Sequence, residues 1–157
     1  SVDYLINNAG WGSTAPVIKA KVEDWDRTLQ VNLRAPMILS QLVLPTLIEK
    51  GEGAIINIGS ISARAGQANT AAYSASKSGL ISFTESLYEE VREYGIKVAV
   101  ILPGFVDTAL IPPTRRLDRS KMIRPEDIAQ TVFFVLTCSP NCCPVEITVR
   151  PQRTPYK

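Results

Sequence analysis

The sequence predicts an α/β fold, an open doubly wound parallel sheet. Three observations point there. Short β-branched runs alternate with helical stretches of ten or more residues, the pattern of β-α-β units. The strands are apolar on both faces, as in sheets covered by helices on both sides. Small or turn-forming residues follow the first three strands, at the end where such sheets hold their ligands.

Each element has its own signal. Val2 to Ile6 reads as a strand, closed by Asn7-Asn8-Ala9-Gly10. Glu23 to Lys50 reads as helix, bent near Pro36 because proline lacks a backbone donor. Gly51 and Gly53 stop it, and Ala54 to Ile58 forms an apolar strand with Asn57 as its one polar member. Residues 59–70 are small and polar, a loop. Ala71 to Tyr94 is a long helix ended by Gly95. Ile96 to Leu102 is the third strand, ended by Pro103-Gly104. Residues 105–124 form a loop, and Pro125-Glu126-Asp127 opens a helix to about Cys138. Val145 to Val149 is the last strand, and Arg150 to Lys157 a polar tail.

Composition narrows the function. The 157 residues suit one domain, 45% apolar and 20% charged, a balance that opposes disorder. The net charge of +2 provides no footprint for nucleic acid or an anionic membrane. No uninterrupted apolar run reaches the ~18 residues of a bilayer span. The chain has no histidine, so mechanisms that need a histidine base or ligand are excluded. Cys138, Cys142 and Cys143 read as ordinary thiols in a reducing, cytoplasmic setting, with no metal site.

Chemistry enters with Tyr73 and Lys77, four apart on the long helix and so on one face. An ammonium about 4 Å from a phenolate gains about 4 kcal/mol at an effective dielectric of ~20. That could bring the phenol from about 10 down toward 7, where it exchanges protons readily. Ser60 follows the second strand, where a hydroxyl can donate to a carbonyl oxygen as charge develops on it. Asn32 sits at the expected bend, where a side chain or a water can bridge freed carbonyls. Asn7-Asn8-Ala9-Gly10 and Pro103-Gly104 let the backbone approach a ligand, and Thr108 can donate to a carboxamide or phosphate.

Together, Asn7-Asn8-Ala9-Gly10, Asn32, Ser60, Tyr73-x-x-x-Lys77 and Pro103-Gly104-Phe105-Val106-Asp107-Thr108 resemble the short-chain dehydrogenase/reductase family, in its order and spacing. The resemblance is strong over residues 1–110 and looser beyond. It implies a Rossmann-like fold and an oxidoreductase that interconverts an alcohol and a carbonyl with NAD or NADP. Tyr73 would be the acid/base, with Lys77 lowering its pKa and holding the nicotinamide ribose. Ser60 would polarise the substrate carbonyl, and Asn32 would hold a water that links Lys77 to solvent. Asn7, Ala9 and Gly10 would line the adenosine side; Pro103, Gly104, Val106 and Thr108 would surround the nicotinamide. Family members often pair through the helix corresponding to 71–94, which implies a homodimer or tetramer.

Two departures accompany the resemblance. No Gly-x-x-x-Gly-x-Gly element precedes Asn7. The expectation is therefore a single partial domain, residues 1–157, holding only the second half of the fold. Its catalytic half is about 1–110, its variable substrate loop 105–124, and its C-terminal helix, strand and tail 125–157. Such a fragment or truncated gene product would bind cofactor weakly or not at all alone. It would then act as a catalytically inactive fold or dimerisation module, unless a partner chain supplies the first half. The other departure is the end of the chain, a polar tail where some family members carry a glycine-rich strand. Arg115, Arg116, Arg119, Lys121 and Arg124 form a charge run, read as a solvated mobile loop in preference to a collector of anionic substrate.

Overall fold

A computed structural model describes residues 2–157. Strands β1 (Tyr4–Asn7), β2 (Gly53–Ile58), β3 (Ile96–Pro103) and β4 (Glu146–Val149) form one sheet in sequential order, every pairing parallel. The register pairs Ile56 with both Ile6 and Ala99, and Ile101 with Ile147. This is the open parallel sheet that the sequence pattern predicts.

Alternation along the strands divides the core into two layers. Leu5, Ile55 and Val98 pack under α2 (Ala35–Lys50) and α3 (Ala71–Val91), against Leu47, Leu87 and Val91. Ile56, Ala99, Ile101 and Ile147 face α4 (Pro125–Thr137) on the opposite side, against Val132 and Val135. The apolar stripe of α3, which the family resemblance offers as a pairing face, is spent mainly on the core: Leu80, Leu87 and Val91 are buried. Glu85, Ser86 and Glu89 hold the exposed side.

The first long helix departs from expectation in an informative way. It runs unbroken through α1 (Val22–Leu29), a π-helical turn (Gln30–Arg34) and α2. The irregularity lies at Asn32, and Pro36 occupies the first turn of α2. A π turn widens the helix locally and pushes one residue outward. Leu33, within that turn, lies against Gly79, where an added Cβ would come within 3.0 Å of Leu33 Cδ2. Gly79 thus admits the close packing of α3 that its position suggests. The joined helix, Val22–Lys50, is long and apolar enough to cross a bilayer by length and composition alone, with mean hydropathy 1.3 over its most apolar window. No single apolar run within it is that long; separate apolar stretches add up because they share one helix. Here it covers β1 and β2, while Leu39 and Leu42 stay exposed.

Glycine ends both long helices in left-handed backbone, Gly51 at φ 69° and Gly95 at φ 73°. The two turns touch. A Cβ on Gly95 would stand 2.5 Å from the carbonyl oxygen of Gly51, so glycine there serves both conformation and fit.

The tail and the 105–124 loop form one unit. Phe105 and Ile123 are joined by a backbone bond, as are Ile123 and Asp107. Asp118 donates to the carbonyl of Pro155, and Lys157 to that of Arg116. The Tyr156 ring meets Phe105 edge-on, centroids 5.5 Å apart. The loop read as solvated and mobile is thus fastened along its length.

Candidate active site

A cleft of about 1050 Å³ opens at the C-terminal ends of β1, β2 and β3, where open parallel sheets place their ligands. Among the candidate residues, Ala9, Gly10, Ser60, Tyr73, Lys77, Pro103, Gly104, Val106 and Thr108 all line it. Asn7 and Asn32 do not.

Tyr73 enters from the first turn of α3, and Lys77 from one turn further. Ser60 and Tyr73 line the cleft together, near enough for Ser60 to pull the Tyr73 phenol downward, and Ser60 Oγ accepts from the backbone N–H of Ser62 at 3.1 Å. Lys77 is 3% exposed. Its Nζ lies 5.8 Å from the centroid of the Tyr73 ring and donates to the carbonyl of Ile58 at 2.7 Å. Burial lowers the Lys77 ammonium to about 8, since a charged group loses water there.

Tyr73 itself behaves differently from the sequence-based expectation. Burial pushes its phenol above the ordinary value, and the nearby Ser60 hydroxyl acts only in the opposite, lowering direction. Lys77 is not what governs it. The ammonium is itself destabilised by burial and is committed to Ile58. The phenol is therefore held protonated at neutral pH, ready as a donor.

The two asparagines spend their side chains inside the fold. Asn7 faces the sheet interior, 7% exposed, and donates to Asn57 Oδ1 at 2.8 Å. Asn57 donates to Thr84 Oγ at 2.9 Å, and Thr84 to the carbonyl of Leu80 at 2.7 Å. This buried polar chain ties two strands to α3. A buried amide without such partners would be costly, so Asn7 is used up before it can reach a ligand.

Asn32 is fully buried. Its Oδ1 accepts from the backbone N–H of Trp11 at 2.8 Å. Its Nδ2 donates to the Trp11 carbonyl at 2.7 Å and to Ser76 Oγ at 3.0 Å. Ser76 in turn donates to the carbonyl of Tyr73 at 2.7 Å. The side chain is thus occupied in clamping the loop after β1 to the base of Tyr73.

That clamp exposes a residue the sequence reading missed. Gly12, next to Trp11, lies against the Tyr73 ring, where an added Cβ would come 2.8 Å from Cδ2. Ser62, Gln67 and Thr70 also line the cleft. The small-residue run after β1 was a signal for Gly12. The 59–70 loop offered none that singles out those three.

The cations of the charge run line no part of the cleft. Arg119 bonds Asp107 Oδ1 at 2.6 Å, the Thr108 carbonyl at 2.9 Å and the Ile111 carbonyl at 3.1 Å. Lys121 pairs with Asp118 and Arg124 with Asp127. The three cysteines are free thiols. Among the described residues no group of three His, Cys, Asp or Glu is placed to hold a metal.

Fold and site together define a doubly wound α/β protein with a tyrosine–lysine pair at the mouth of its ligand crevice. The short chain dehydrogenase family model matches residues 1–118, and the chain belongs to that family. It is 37% identical over 150 residues to an uncharacterized oxidoreductase of Staphylococcus aureus (strain USA300), covering 96% of this chain and 64% of the relative. It is 38% identical over 142 residues to carbonyl reductase family member 4 of Xenopus tropicalis, covering 87% of this chain and 60% of that one. Among solved structures, serine dehydrogenase from Escherichia coli superposes with a TM-score of 0.84 at 28% identity, covering 95% of this chain and 63% of the other. A 4-hydroxyisoleucine dehydrogenase complexed with NADH gives 0.83 at 29%, covering 95% and 67%. The chain spans about two thirds or less of these relatives.

Proposed function

We propose that this cleft serves an NAD(P)-dependent oxidoreductase that interconverts an alcohol and a carbonyl. The observation that carries the reading is that Tyr73, Ser60 and the buried Lys77 line one cleft, with Lys77 Nζ 5.8 Å from the centroid of the Tyr73 ring. Neighbouring structures hold NADH and NADP+, which supports a nicotinamide cofactor without deciding between the two. The residues present fit one. Small side chains at Ala9 and Gly10 leave the backbone open at one side of the cleft, and a Cβ on Gly10 would point toward Lys77 Nζ at 3.8 Å.

When bound, the nicotinamide supplies or accepts the hydride. This chain handles the proton. Tyr73, kept neutral by burial, donates from its hydroxyl to the oxygen of a carbonyl substrate, and takes the proton back from an alcohol in the reverse direction. Ser60 donates to the same oxygen and steadies the charge that grows on it. Lys77 has three donors, of which Ile58 takes one. The others are free to hold ribose hydroxyls. Ala9 and Gly10 line the adenosine side, while Pro103, Gly104, Val106 and Thr108 surround the nicotinamide. Asn32 is a positioning residue, acting through Trp11 and Ser76. Free thiols suit a cytoplasmic setting.

A second reading has its own support. The chain spans 64% of the length of the Staphylococcus relative. On that reading the polypeptide is a non-catalytic module. Titration with NADPH and NADH, followed by turnover of simple ketones, separates the two. For the enzyme, Tyr73→Phe lowers turnover at least ~100-fold and leaves cofactor affinity nearly unchanged. Turnover retained in that variant would reject Tyr73 as acid/base. Absence of both cofactor binding and turnover in the parent chain would favour the module.

A further inference from the structure

We propose that the substrate of this site is an uncharged carbonyl or alcohol with an apolar body, and that carboxylate-bearing substrates are rejected; the inference rests on the oxidoreductase reading above. The cleft has two unlike sets of lining residues. Ser60, Tyr73 and Lys77 supply polar groups. Phe105, Leu110 and Ile111 of the loop and Ile128 and Val132 of α4 supply an apolar wall. Lys77 is the one formally charged side chain among the described residues that line the cleft, and it sits beneath the reacting end, bonded to Ile58.

Arg119, Lys121 and Arg124 of the charge run are paired away from the cleft lining. Arg119 turns its guanidinium onto Asp107 and onto the carbonyls of Thr108 and Ile111, which lie on the loop that forms the wall. It therefore shapes the wall and presents no charge to the interior. Lys121 and Arg124 are paired with carboxylates outside the cleft. A carboxylate carried against the more buried part of this apolar lining would find no charged partner among the residues that line it, and would be more costly to place there than the same ring or chain without it. An uncharged body gains there by removing apolar surface from water.

The test uses two ketones that differ by one group, acetophenone and 4-acetylbenzoate, titrated onto the whole chain by saturation-transfer NMR. Acetophenone is expected to bind at least tenfold more tightly. Leu110→Arg places a cation on the wall at a largely exposed position. In that variant 4-acetylbenzoate is expected to reach parity with acetophenone. Equal or tighter binding of the carboxylate by the unaltered chain would overturn the proposal, as would failure of both ketones to bind. An unchanged ratio in a folded Leu110→Arg protein would overturn it too. None of these readouts involves turnover. Failure here therefore leaves the Tyr73→Phe result to judge the oxidoreductase reading by itself.

Discussion

The inner and outer ends of the cleft are held by opposite means. At the inner end, Lys77 and Asn32 are almost wholly buried, and their polar atoms are matched to named partners across the fold. At the outer end, Arg119 makes three bonds at 40% exposure, and the tail adds backbone bonds and one aromatic edge. The number of bonds is similar, but their energetic weight is not. A buried polar group that loses its partner cannot turn to water, whereas an exposed one can. The inner end is thus specified by stability, and the outer end by shape.

Three experiments bear on that contrast. The largest effect is expected for Asn32→Ala. It strands the N–H and carbonyl of Trp11 and unties Ser76, a loss of about 3 kcal/mol at roughly 1 kcal/mol per bond. Urea unfolding measures it, and a loss under 1 kcal/mol would erase the distinction drawn here.

Next comes the pH dependence of Lys77→Met. Burial lowers Lys77 from 10.5 to about 8, so between those values the unfolded chain binds the proton that the folded chain has released. Stability of the parent therefore rises with pH across this window, and below pH 8 the full cost of the buried charge is present. Relative to the parent, Lys77→Met should be most favoured at pH 7 and lose about 2–3 kcal/mol of that advantage by pH 10. Parallel stability curves for the two proteins would contradict the burial.

The smallest effect belongs to Tyr156→Ala. Removing the edge contact with Phe105 should cost only about 1 kcal/mol. Yet it should speed hydrogen exchange at the amides of Asp118 and Lys157, while amides in β2 and β3 stay protected. Tyr156→Phe keeps the ring and should restore the parent pattern. Uniform acceleration across the sheet would mean that the tail supports the whole fold and not the cleft rim.

Much of this was legible in the sequence. Periodicity placed every strand and long helix within a few residues, because each must bury its apolar face on a sheet covered from both sides. The tyrosine–lysine spacing placed both side chains in one cleft, since four residues is about one helical turn. What the sequence did not show is that the irregularity is a π turn at Asn32, whose buried amide bonds both polar groups of a distant residue. Nor did it show that strand alternation turns Asn7 toward Asn57 and α3.

The chain by itself determined which residues are strand, helix and turn, and that Tyr73, Lys77 and Ser60 would meet at the strand ends, because those outcomes follow from local pattern and from the geometry of parallel sheets. Only the tertiary structure decided how the polar side chains spend their bonds: Asn32 on Trp11, Asn7 on Asn57, Arg119 on its own loop, and the tail on Phe105. Those choices depend on partners distant in sequence, and on whether water can reach the group once the chain has closed around it.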